Sequence, residues 1–197
     1  MSRLLTISVA VLLLAAAALW LAGPFRNCCG ARPEPSRTET AIARRLRSLS
    51  MPRKAHDQKN PEAETPEVLK AAMHHFADHC ASCHANDGSG DTEMGRNLYP
   101  RSPDMRQAET QQLTDGELYY IIHNGIRWTG MPAWGASDYD PETWQLVHFI
   151  RHLPNLTKPE IQEMEHYNPQ STAEREEQER EQKFLNGDAP PNDKEKK

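Results

Sequence analysis

Apolar residues occur along this chain first as one unbroken block and later as stripes at helical spacing. The block runs from Leu4 to Ala22, nineteen residues without a charge and dominated by Leu, Ala and Val. At 1.5 Å per residue a helix there spans about 28 Å, close to the roughly 30 Å hydrocarbon core of a bilayer. Two readings fit: an uncleaved transmembrane anchor over residues 1–23, or a signal peptide with Arg3 at its basic start. The length favours the anchor, because the apolar core of a signal peptide is shorter. A lipoprotein signal is excluded, since Phe25, Arg26 and Asn27 before Cys28 are not small and apolar.

The stripes begin after residue 64. Thr65, Pro66 and Glu67 form a helix start, with a capping hydroxyl, a residue whose φ is preset, and a carboxylate at the positive helix end. Leu69, Ala72, Phe76 and Cys80 then fall on one face. Thr114 and Glu117 read as a capping box, flanked by Leu113 and Leu118 as a hydrophobic staple. The helix they open buries Leu118, Ile121 and Ile122 and ends at Gly125. A third helix starts at Asp140-Pro141-Glu142, carries Leu146, Phe149, Ile150 and Leu153, and stops at Pro154. Thr157 and Glu160 repeat the capping box for a short helix with Ile161, Met164 and Tyr167 inward. No segment alternates as a strand, so the expected domain, residues 65–170, is all-α.

Charge divides the chain further. From Pro24 to Asn60 there are nine Lys or Arg against three acids; from Pro61 to Gln170, seven against seventeen. A basic stretch leads into an acidic domain, which argues against nucleic-acid binding by that domain. Residues 24–64, rich in Pro, Arg and Ser, read as a linker that spans roughly 35 Å as a flexible coil. Within it, Ala41–Leu49 has the pattern of a short basic helix suited to anionic lipid headgroups, a solvated tether being the plainer reading. Residues 171–197 are blocks of charge with few apolar residues, and read as frayed helix or disorder. The apolar share of the whole chain, 37%, fits one compact domain with appendages.

The chemistry rests on Cys80-Ala81-Ser82-Cys83-His84. A C-x-x-C-H run marks covalent haem attachment: cysteines three apart lie on one side of a helical turn and reach one edge of a porphyrin. His84 follows at once as the proximal iron ligand. A thioredoxin-like site would need a preceding strand, and a structural zinc site four ligands, where no second Cys pair follows. Met131, in the Gly- and Pro-bearing loop Asn124–Gly135, is the candidate for the sixth ligand, since a thioether favours ferrous iron and raises the potential. Met94 and Met105 are weaker candidates. The histidine pairs His75/His79 and His148/His152 have metal-clamp spacing but are also commonplace on helix faces. Cys28 and Cys29, a vicinal pair just beyond the apolar block, carry no assigned role.

The motifs CASCH, IIHNGIRWTGMPAWG and ETWQLVHFIRHLP resemble the small class I cytochromes c, and are most similar to the haem domains of cbb3-type oxidase third subunits and related membrane-bound cytochromes. The resemblance covers about residues 65–155. It implies one covalent haem c wrapped by helices, with the first and last helices crossing at Ala72 and Phe76 against Leu146 and Phe149. It also implies a backbone carbonyl from a Pro-bearing loop that orients the haem histidine, for which Tyr99–Pro103 is the obvious segment, Pro100 ahead of Pro103. Arg96, Arg101 and Arg127 are candidates to pair with haem propionates, and Trp128 is placed with Met131 as a cofactor contact.

The expectation that follows is a membrane-tethered single-electron carrier rather than an enzyme, with its haem domain on the periplasmic face of a bacterial inner membrane. The alternative is the haem-bearing subunit of a larger oxidase or dehydrogenase. Its partner would be an oxidase, a dehydrogenase or another cytochrome. The basic stretch after the apolar block would by itself argue for a cytoplasmic location; the haem motif argues for the opposite side.

Overall fold

The computed structural model describes residues 3–21, 30–137, 139–170 and 172–186. Among them the chain is helical, with no strand. In order come α1 (Arg3–Leu21), α2 (Arg37–Ser50), α3 (Arg53–Asp57), α4 (Pro66–His79), α5 (Ala81–His84), α6 (Glu93–Asn97), α7 (Ala108–Gln111), α8 (Asp115–Asn124), α9 (Pro141–His152), α10 (Lys158–Glu165) and α11 (Thr172–Leu185). A 3-10 turn, Leu153–Asn155, follows α9.

The helix starts expected from the sequence form with the expected chemistry. The Val68 amide donates to the Thr65 hydroxyl at 3.3 Å, both halves of the Thr114/Glu117 capping box are made, and the Thr157 amide and hydroxyl both donate to the Glu160 carboxylate, at 2.7 and 2.6 Å. The Thr143 amide donates to Asp140 at 3.2 Å and opens α9. These bonds satisfy amides that a helix leaves orphaned in its first turn.

The core lies where α4 crosses α9, the most extensive contact in the fold. Ala72 is the small residue that lets the helices approach, and the Phe76 and Phe149 rings meet at 5.0 Å between centroids, tilted by 54°. Leu146, Ile150, Leu153, Leu118, Ile122 and Met164 close around them. Two residues outside the expected stripes are fully buried as well: Val147 and Trp144, the latter stacked on Tyr119 at 4.1 Å. Ile121 and Ile161 are only half-buried, and Tyr167 covers His74 from outside, ring on ring at 3.7 Å.

The segment expected to be a linker is not one throughout. Met51 and Ala55 are buried, 5% and 6% exposed, and α3 packs on α8. His56 and Glu117 pair at 2.9 Å, and the Asn60 amide donates to the Trp144 carbonyl at 2.9 Å. Further out, Tyr99 donates to Glu39 and Arg101 pairs with Glu34 at 3.1 Å. Gly116 makes the close seat possible: a Cβ there would collide with the Ala55 carbonyl oxygen.

The N-terminal apolar block does form a helix, α1, with Leu12, Leu14 and Trp20 exposed. Among the described residues, no helix is long and apolar enough to cross a membrane. The transmembrane reading therefore rests on the sequence alone. Part of the charged tail, read as frayed or disordered, is the helix α11. Cys28 and Cys29 lie outside the described residues.

Candidate cofactor site

The C-x-x-C-H residues sit on a single turn directly after α4. The Cys80 amide donates to the Phe76 carbonyl at 2.8 Å, while the Cys83 and His84 amides both donate to the Cys80 carbonyl, at 3.1 and 2.9 Å. That places two sulfurs and an imidazole within one helical turn, directly continuing the α4 face that carries Ala72 and Phe76 into the core. Ala85, at φ 60°, ends the turn. Behind it, Thr92 donates to the Ser82 carbonyl at 2.8 Å and accepts from the Gly95 amide at 2.8 Å. Gly95 is required there, because a Cβ would run into the Cys83 and Gly90 carbonyl oxygens.

Burial sets the electrostatics of the turn. It pushes the Cys80 thiol up to about 12 and the His84 imidazole down to about 4. No disulfide joins Cys80 and Cys83, and His84 is neutral near pH 7, the form in which an imidazole donates a lone pair to a metal. His84 Nδ1 is buried with no hydrogen-bond partner in the protein. Buried polar nitrogens are normally satisfied, so the structure leaves this nitrogen a donor or acceptor to spare beside the two cysteines.

The other expected site residues are distributed unevenly. Met131 is half-buried in a loop fixed from within: its amide donates to the Thr129 hydroxyl at 3.1 Å, and the Ile126 amide donates to its carbonyl at 3.1 Å. Trp128 stands 90% exposed at φ 62°, with the Arg127 guanidinium 6.0 Å from its ring centroid. Pro100, exposed and following a cis peptide, is not a hydrogen-bond partner of His84. Arg101 is engaged by Glu34, and Arg96 by Asp91 at 2.5 Å. Met105, a weaker ligand candidate, is core, whereas Met94 is 55% exposed. The paired histidines bind carboxylates or backbone: His148 lies 3.0 Å from the Glu62 carbonyl and His152 2.8 Å from Glu160. Among the described residues no cluster of His, Cys, Asp or Glu is arranged to hold a metal ion.

One bracing residue escaped the sequence reading. Arg106 holds Asp104 through Nε at 2.8 Å and reaches Asp87, three residues beyond His84, at 2.8 Å. Only Asp104, two residues before it, hinted at this.

Residues 67–150 match the family described as cytochrome C oxidase, cbb3-type, subunit III. The match contains the turn, the α4/α9 crossing and the Met131 loop. This stretch is a class I c-type cytochrome domain. None of the curated proteins matches the chain.

Cytochromes of this family carry haem c attached covalently, and the residues of this domain fit that group. Two cysteines three apart suit thioether formation, and a half-buried, neutral imidazole beside them suits the iron. When bound, the haem supplies a one-electron couple. The chain's own contribution is to hold His84 deprotonated by burial, to anchor both cysteines on one turn, and to tie that turn to the core through Phe76.

Proposed function

We propose that this protein is a membrane-tethered monohaem cytochrome that carries single electrons between redox partners on the periplasmic face of a bacterial inner membrane. The observation that carries the reading is the Cys80–His84 turn, with its half-buried neutral imidazole, inside a c-type cytochrome domain. Cys80 and Cys83 hold the haem, His84 is the proximal ligand, and Met131 is the sixth. A filled sixth position leaves no open site for a substrate, which favours a carrier over an enzyme. Met131 suits the role because its loop is fixed at both sides of the thioether residue, by Thr129 and Ile126.

Tethering is supported by the uncharged sequence run Leu4–Ala22. Seventeen acids against seven bases over Pro61–Gln170 favour a partner with a basic docking patch and a contact that weakens with salt. A second reading, a haem-bearing subunit of an oxidase or dehydrogenase complex, is favoured by the match to an oxidase third subunit. Co-purification with a catalytic subunit in mild detergent distinguishes it from a free carrier.

The decisive test is the absorption spectrum of the purified protein in both oxidation states, beside Met131→Ala. The expected wild type retains its haem under denaturation and is low-spin in both states. Its ferric form shows a Met-to-iron charge-transfer band that the variant loses. A high-spin wild type that binds carbon monoxide readily would overturn the carrier assignment.

A further inference from the structure

The helix α2 is turned inside out. Its half-buried positions, Thr40, Arg47 and Ser48, are polar and face the body of the protein, where Arg44 and Arg47 line a groove against α7 and the start of α8. Its apolar positions face away. Ile42, Leu46 and Leu49, spaced four and three apart, form one stripe and are 56%, 61% and 65% exposed. None of its residues is buried. A surface helix ordinarily does the reverse, turning its apolar stripe to the core.

Three observations indicate what covers this stripe. The helix is basic, with Arg37, Arg44, Arg45 and Arg47 against the single acid Glu39, and Glu39 is engaged by Tyr99. It is also the basic part of a molecule whose main domain is acidic, so the complementary surface is anionic. Finally, α1 ends at Leu21 and α2 begins at Arg37. A connection that short keeps α2 near the surface of any bilayer that holds α1.

We propose that α2 is an interfacial helix, which lays Ile42, Leu46 and Leu49 into the headgroup layer of an anionic bilayer while Arg45, beside that stripe, engages lipid phosphates. The idea rests on the reading of α1 as a tether and adds to it a fixed orientation. The helix is clamped to the cytochrome domain by Tyr99 on Glu39, by Arg101 on Glu34 and by buried Met51. Docking α2 on lipid therefore presents one side of the domain to partners instead of letting it swing. It also gives the basic stretch a role on the outer side of the membrane, where the positive-inside rule offers none.

Full-length haem-loaded protein in bilayers of phosphatidylcholine, alone or mixed with phosphatidylglycerol, tests this by hydrogen exchange. The amides of residues 37–50 are expected to exchange about tenfold more slowly in the anionic bilayer. The double variant Ile42→Asp, Leu46→Asp is expected to abolish that difference and leave α4 and α9 unchanged. Equal exchange in the two lipids, insensitive to the variant, would overturn the proposal. So would equal slowing in both lipids that grows with the protein-to-lipid ratio, since a second protein copy would then cover the stripe. Flotation separates the underlying reading: failure to float with neutral vesicles removes the α1 tether. Flotation with anionic vesicles that the double variant loses would still uphold α2.

Discussion

Asp104 and Arg106 show how single side chains stiffen the ground around the haem turn. Arg106 grips Asp104 through Nε at 2.8 Å and Nη2 at 2.9 Å, and its other amine bonds Asp87. Hydrogen bonding from the Arg106 side chain holds the Asp104 carboxyl down at about 2. A carboxyl whose folded-state value lies below its ordinary 3.8 contributes stability that is complete above that value and lost as pH falls through 2. We expect Asp104→Asn to lower stability by about 1 kcal/mol at neutral pH, the partial exposure of the pair limiting the effect. Denaturant titrations at a series of pH values check it. The gap between wild type and variant should stay constant down to about pH 5 and close between about pH 4 and pH 2. A gap that persists at the acid end would mean the variant acts through packing, not charge.

At the scale of elements, α3 depends on a glycine sixty residues away. The seat of Ala55 on α8 leaves no room for a side chain at Gly116. Gly116→Ala should intensify α8 as a helix in isolation yet loosen α3, because the Ala55 carbonyl must move. Hydrogen exchange should report faster amides over residues 51–58, with the haem spectrum untouched; an unchanged pattern would mean that α8 shifts instead. The same pair explains what was legible in advance. Helices α4, α8, α9 and α10 announce themselves because their caps and stripes are local: Thr65 with Pro66, Thr114 with Glu117, Asp140 with Pro141, Thr157 with Glu160. Helix α3 does not, since its one buried residue, Ala55, lies among Arg53, Lys54 and Asp57. Within the site the division is alike. The Cys80–His84 turn follows from spacing in one segment, whereas the roles expected of Pro100 and Arg101 depend on how distant segments meet. Arg101 meets Glu34, a partner in a stretch that reads as linker. Trp144 is illegible for a different reason: it lies on the face of α9 away from the Leu146–Phe149–Ile150 stripe and is buried by stacking on Tyr119 of α8.

The molecule as a whole is organised by where its charge lies and by which segments its acidic domain recruits. Residues 51–60 are basic or polar for the most part, yet they close the side of the domain formed by α8 and the start of α9. Met51 and Ala55 supply the apolar contact, His56 finds Glu117, and Asn60 satisfies the Trp144 carbonyl. The family match begins at residue 67, so this cover lies outside the matched stretch. Burial of a methionine is worth about 1.5–3 kcal/mol, and a hydrogen bond to a buried carbonyl about 1 kcal/mol. A haem-loaded fragment that starts at Thr65 should therefore be less stable than one that starts at Met51 by about 2–4 kcal/mol. Denaturant unfolding followed at the haem band measures the difference directly. If the two fragments unfold together, residues 51–64 are a linker after all. A deficit of the expected size would instead make residues 51–64 part of the folded domain, and any movement of α2 would then carry the haem with it.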